Sequence, residues 1–191
     1  MFITILAAVV ASASPVTQDT ITAPVCVKLE DPKNLNSKCL QTITVKAGPT
    51  APGVDNPAVT QATLSVTICK TTKEANGQTW IHNQRPPTSY TNALKAKQMA
   101  ALGWTFDPRQ VEEDHKVSIE DGGSPTDPNN LYPEPWNGDY GAHRKDVLET
   151  KLSHLVCKGT ITLDEDRAAL HGDWTVAYQK YVGPLPRGDG K

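Results

Sequence analysis

Glu113-Asp114-His115, then Asp121-Gly122-Gly123, then Asn130-Leu131 and a later His143 are the residues whose types and spacing point to chemistry. Hydrolysing a phosphodiester needs a base to activate water and a divalent cation to hold the scissile phosphate. His115 is a candidate base. Asp114, Asn130 and His143 offer hard oxygen and imidazole ligands suited to Mg²⁺, Mn²⁺ or Zn²⁺. Fourteen residues separate His115 from Asn130, and twelve separate Asn130 from His143. Those gaps suit a strand, a turn, a second short strand and a helix. Arg144 and Lys145, next to His143, are candidates to steady a phosphate.

The elements that must position these residues follow from the pattern. His115-Lys116-Val117-Ser118-Ile119 reads as a first strand and Asp121-Gly122-Gly123-Ser124-Pro125 as its turn. Asn130-Leu131-Tyr132 starts the return, and Pro133-Glu134-Pro135 argues against a long second strand. Asn130 also fits a turn, because Asp127-Pro128-Asn129-Asn130 is rich in turn formers. Gly141 precedes a helix from about Ala142 to Val156, whose Leu148, Leu152, Leu155 and Val156 form an apolar stripe. Neighbouring strand residues point to opposite faces, so Asp114 and His115 need a local distortion to share one site.

Upstream, Thr88 or Ser89 caps a helix through Leu102, with Gly103 as terminator. Lys95, Lys97 and Gln98 lie on its polar face, as phosphate contacts or as an ordinary solvated surface. Pro57 to Leu64 has room for a helical turn, and Thr79-Trp80-Ile81 reads as a possible strand in a polar loop. Downstream, Thr162-Leu163-Asp164-Glu165 matches a capping box opening a last helix towards Tyr181. His82, His154 and His171 lack partners nearby in sequence and read as surface residues. The four tryptophans, Trp80, Trp104, Trp136 and Trp174, read as core or lid residues.

The 191-residue chain carries a formal net charge of −2. That counts mildly against tight non-specific nucleic-acid binding, which phosphate neutralisation drives. It is compatible with a metal-dependent nuclease, whose cation supplies part of the charge. The N-terminus is a short apolar run, Met1 to Val10, followed by Ala11-Ser12-Ala13, the pattern of a secretory signal peptide without a basic start. Residues 14–55 read as a variable extension, with strand-like Val25–Leu29 and Leu40–Val45. Residues 56–181 read as the main domain and 182–191 as a tail. The expected fold class is α+β, a ββα site with supporting helices and a β-rich extension. The expected product is a secreted, extracellular monomer, not held at a membrane after signal cleavage. Four cysteines, Cys26, Cys39, Cys69 and Cys157, suggest two disulfides with three possible connectivities.

The chain also resembles a group of mostly bacterial, secreted proteins with an HNH-like, or ββα-metal, signature. The resemblance covers roughly residues 56–181. It rests on Asn56-Pro57-Ala58-Val59-Thr60-Gln61-Ala62-Thr63, Arg85-Pro86-Pro87-Thr88-Ser89-Tyr90-Thr91-Asn92-Ala93-Leu94-Lys95, Glu112-Glu113-Asp114-His115 and Gly122-Gly123. It continues with Asn130-Leu131-Tyr132-Pro133-Glu134-Pro135, Lys145-Asp146, Val156-Cys157-Lys158-Gly159 and Asp173-Trp174. It implies a nuclease-like fold, with His115 as base, Asp114, Asn130 and His143 around a divalent metal, and DNA or RNA as substrate. Cys69 and Cys157 both fall inside the matching region and are expected to pair across it. Cys26 and Cys39, close in sequence, are then left to close a small loop. A non-catalytic secreted effector or binding protein that keeps the same fold is the alternative.

Overall fold

In the computed structural model, residues 20–25, 41–46, 52–105, 107–137 and 140–185 are described, the first two segments by their backbone alone. Those two segments form a hairpin. Strand β1 (Thr20–Val25) pairs antiparallel with β2 (Gln41–Lys46), from Thr20 opposite Lys46 to Val25 opposite Gln41. The strand expected at Leu40–Val45 falls on β2, whereas the one expected from Val25 starts where β1 ends. The expected signal peptide at residues 1–13, Cys26, Cys39 and the end of the tail lie outside the described residues.

The rest of the fold is α+β. Thr79 starts α1 (Trp80–Gln84) instead of a strand, because its hydroxyl accepts the His82 N–H at 3.1 Å and caps the turn. Pro86 and Pro87 end that turn, and α2 (Thr88–Ala101) begins directly after Pro87 without a side-chain cap. Residues 57–63 make turns that run into a short 3₁₀ turn, Leu64–Val66.

Strand β3 (Val111–His115) pairs antiparallel with β4 (Leu131–Pro135). The expected strand was offset. Its residues after His115 turn away, since Ser118 caps a 3₁₀ turn at Ile119–Asp121. The acidic run Glu112-Glu113-Asp114 takes the strand position instead. Strand β4 runs through Pro133 and Pro135, which a two-stranded sheet tolerates because each strand keeps a free edge. Helix α3 (Ala142–Cys157) follows. The last expected helix is two, α4 (Leu163–His171) and α5 (Trp174–Tyr181), separated at Gly172 and restarted by the Asp173 side chain, which accepts the Thr175 N–H.

Two apolar clusters hold these elements. Val117, Leu148, Leu152, Leu170, Ala177 and Tyr178 join the interstrand loop to α3, α4 and α5, with Trp174 packed against them. Val59, Ile68, Val156 and Leu163 join the first segment to α3 and α4, with Trp80 alongside. A disulfide, Cys69–Cys157, with Cα atoms 5.3 Å apart, ties that segment to the end of α3. The folded unit begins upstream of the expected boundary at residue 56. Asp55 bridges to Gly123, and the Ser124 N–H donates to the Val54 carbonyl at 2.7 Å.

Candidate functional site

The site is built on the loop between β3 and β4. Its centre is Asn130, with no exposed surface. The amide oxygen accepts the N–H groups of Val54 and Val117, both at 3.1 Å. The amide nitrogen donates to the carbonyls of Val117 and Ser124, at 2.9 and 2.8 Å. All four hydrogen-bonding positions of the side chain are used. Asn130 closes the loop on itself, and its oxygen keeps no lone pair for a cation. The glycines make that closure possible. Gly122 sits at φ 81°, and a Cβ on Gly123 would lie 1.8 Å from the Val117 carbonyl oxygen.

The closed loop presents the Pro125 carbonyl to His115. The Nε2 atom lies 3.0 Å from that oxygen. A carbonyl only accepts, so Nε2 carries the proton and the neutral ring keeps its lone pair on Nδ1. Burial lowers the imidazole's pKa, with the Pro125 hydrogen bond and the Asp114 charge opposing it. His115 is therefore neutral at pH 7, with a fixed tautomer and a basic nitrogen.

Asp114 takes the opposite direction, as strand alternation requires. Its Oδ1 accepts the His115 N–H at 2.7 Å, and its Oδ2 accepts from Lys145 Nζ at 2.8 Å. Lys145 Nζ also donates to the His115 carbonyl at 2.6 Å and to Glu149 Oε1. Its three protons are spent, and the residue is 1% exposed. Burial, the largest single influence, raises the Asp114 carboxyl's pKa, but the Lys145 ammonium and the hydrogen bonds from Glu134 and Lys145 together outweigh it and hold the group below its ordinary value. Burial would strip Lys145 of its proton, yet Asp114 and Glu149 keep it firmly charged. Glu134, also buried, shares a hydrogen bond with Asp114. Burial and that neighbouring carboxylate push Glu134 well up, so it carries the proton between them.

His143 stands elsewhere, on the exposed first turn of α3. Its ring lies over Trp136, centroids 5.1 Å apart, and Nδ1 is 3.8 Å from Asp146 Oδ2. The structure thus gathers His115 and Asn130 around Ser124-Pro125, and sends Asp114 to Lys145 and His143 to Trp136 and Asp146. As placed, Asp114, Asn130 and His143 do not form one donor set. Among the described residues, no three His, Cys, Asp or Glu side chains gather in a way that would hold a metal ion.

The expected phosphate contacts, Arg144 and Lys145, are both buried. An amphipathic helix with basic residues in its first turn places them inside because α3 lies with that turn against β3. Lys95, too, is turned inwards, donating to the Pro108 and Val111 carbonyls. His171 is not a lone surface residue. Its Nε2 lies 3.0 Å from Asp55 Oδ1, a partner 116 positions away. The sequence reading missed the Pro125 carbonyl, since a backbone acceptor has no residue signature. It also missed Glu149, although the four-residue step from Lys145 is a legible helical pair. Compared with known proteins, the chain matches no family, no curated protein and no solved structure.

Proposed function

We propose that the chain is a nuclease that hydrolyses phosphodiester bonds in DNA or RNA, with His115 as the general base. The observation that carries this reading is the His115–Pro125 contact. It fixes the tautomer and leaves Nδ1 as a neutral base at the end of the first strand of a β-β-α succession. A group within hydrogen-bond reach of the attacking water, with a pKa below the working pH, is what such a step needs. Asn130, in this reading, holds the loop rather than a ligand. A divalent cation remains part of the proposal on the sequence resemblance alone. Export into an oxidising compartment is proposed with it, on the N-terminal pattern and the Cys69–Cys157 disulfide.

A plasmid-digestion assay with and without EDTA tests this. Wild type should cut, and His115→Ala should lose about 10²- to 10⁴-fold in rate, the usual share of a general base. The pH–rate profile should rise through a pKa below 6.5, the direction in which burial moves His115, and level off by neutral pH. Digestion that persists at full rate in His115→Ala would sink the assignment. One observation favours a non-catalytic alternative. The Lys145 ammonium already neutralises Asp114, where a metal would otherwise sit. Wild type that leaves DNA and RNA intact, with every divalent metal supplied, would make that the better account.

A further inference from the structure

The Pro125 carbonyl sets the tautomer of His115, so whatever fixes that carbonyl fixes the candidate base. Asn130 closes the interstrand loop from within. Residues 54–59 close it from the other side. The Asn56 N–H donates to the Gly122 carbonyl at 2.9 Å, Asp55 bridges to Gly123, and the Ser124 N–H donates to the Val54 carbonyl at 2.7 Å. These contacts fall on three successive residues, and the next along the chain is Pro125.

Irregular segments joined by a few backbone pairs open locally at little cost. One side chain holds both segments at once. Arg167, on α4, donates from Nη2 to the Gly122 carbonyl at 2.7 Å, to the Val59 carbonyl at 3.1 Å and to the Asn56 carbonyl at 3.5 Å. Its Nε lies 3.4 Å from Asp55 Oδ1, and the side chain is only 12% exposed, so water competes little for these charge-assisted contacts. His171, one turn further along α4, sets its Nε2 3.0 Å from the same Asp55 oxygen. Gly122 has a second reason to be glycine, because a Cβ there would come within 2.6 Å of Arg167 Nη2.

We propose that Arg167 is a positioning residue for His115. Its guanidinium clamps residues 54–59 onto Gly122 and thereby holds the Pro125 carbonyl where it fixes the imidazole tautomer. Arg167 acts through the loop, along Gly122, Gly123, Ser124 and Pro125, and not on the substrate. A guanidinium suits the task because its rigid fork of donors meets several carbonyls together, where a lysine ammonium is a single point. The assignment rests on the nuclease reading for its catalytic meaning, but the state of the ring is measurable without turnover.

The test reads the two ring nitrogens of His115 by ¹⁵N NMR in the full chain, at mildly alkaline pH, with the signals assigned through His115→Ala. In wild type, one nitrogen should show the shift of a protonated site and the other that of a lone pair, well separated. Arg167→Ala should bring the two shifts together, because a ring without a fixed acceptor samples both tautomers. Arg167→Lys should show an intermediate separation, and it decides the question if the alanine variant does not fold. Two controls should keep the wild-type separation. Lys151→Ala removes a positive charge from the exposed side of α3. Leu170→Val trims the buried side of α4 and should lower the denaturant midpoint without touching the ring. In nuclease assays, Arg167→Ala should lower kcat by about tenfold or more, as small misplacements of a catalytic group do, and leave KM unchanged. Either Arg167 variant, folded and with the wild-type separation, overturns the assignment. Leu170→Val losing the separation as Arg167→Ala does also overturns it, because the loss then tracks stability alone. Converged ring signals in Arg167→Ala, in a protein that cuts no nucleic acid, leave the clamp standing and overturn the nuclease reading. Cleavage by wild type, with ring signals the same in wild type and both Arg167 variants, does the reverse.

Discussion

Asn130 and Lys145 separate two kinds of polar residue that a motif presents alike. Both belong to the chemical-looking text of the chain, and both are fully buried with every donor spoken for. Removing either leaves charged or polar partners stranded in the interior, which costs far more than the net worth of the bonds themselves. Asn130→Ala orphans the Val54 and Val117 N–H groups and the Val117 and Ser124 carbonyls. Its expected cost is about 3 kcal/mol or more, since each stranded buried group costs roughly 1–3 kcal/mol. Lys145→Met leaves Asp114 and Glu149 without their cation, an expected loss of about 3–5 kcal/mol. His115→Ala, by contrast, strands only the Pro125 carbonyl, which is partly exposed and open to water, so it should cost less than either. Chemical denaturation of the three variants checks the contrast. An Asn130→Ala protein as stable as wild type would mean that its four hydrogen bonds do not close the loop.

At the scale of elements, the 3₁₀ turn Ile119–Asp121 and α4 meet through a second carboxyl pair. Asp121 and Asp166 have no exposed surface, and the Asp166 charge disfavours ionisation of Asp121. Two buried carboxyls that repel each other in this way keep at least one proton between them. Ser118 Oγ donates to Asp121 Oδ2 at 2.5 Å, and Glu120 and Glu149 add negative charge around Asp121. The charges of Arg167 and Asp55 also act on Asp166, the first lowering and the second raising its pKa. Burial, above all, pushes Asp166 up to about 7, whereas an unfolded Asp titrates near ~4. Between those values the unfolded chain has released a proton that the folded one keeps, so this pair's stabilisation falls as pH rises from ~4 to about 7. Asp166→Asn, which needs no shared proton, should flatten that fall between pH 4.5 and 7.5 in urea denaturation. Equal slopes for the two proteins would refute the shared proton. These pairings also show what the sequence made legible. Helices α2, α3 and α4 sit close to their expected places because caps and apolar stripes are local signals. The expected strand missed β3 because Glu112-Glu113-Asp114 looks like a solvated acidic run, and its burial depends on Lys95 and Lys145 from other elements. Thr79 was read as strand where it caps a helix, because three residues carry too little periodicity to separate the two.

At the scale of the molecule, the domain is a small two-stranded sheet between helices, with much of its interior given to charge. Two strands bury little apolar surface, and the β3–β4 ladder keeps carboxyls on its faces. The apolar clusters lie away from it, where the first segment, α3, α4 and α5 meet. The Cys69–Cys157 disulfide spans 88 residues, from the first segment to the end of α3. Between those ends lie β3, the interstrand loop and β4, so the bond encloses His115, Asn130 and Lys145. Cross-linking a loop of that length restricts the unfolded chain and is worth about 4.5 kcal/mol in the chain-entropy model. Against a typical domain stability of roughly 5–15 kcal/mol, losing the bond on reduction removes a large share of what holds the fold. The Cys69→Ala/Cys157→Ala variant should therefore lose most of its urea midpoint. The geometry around His115, held by Asn130 and Lys145 rather than by the disulfide, should persist while it stays folded. Strongly reducing conditions should reproduce the loss in wild type and leave the double variant unchanged. A variant that keeps the wild-type midpoint would show that the apolar contacts of Val59, Ile68, Val156 and Leu163 hold the first segment on their own.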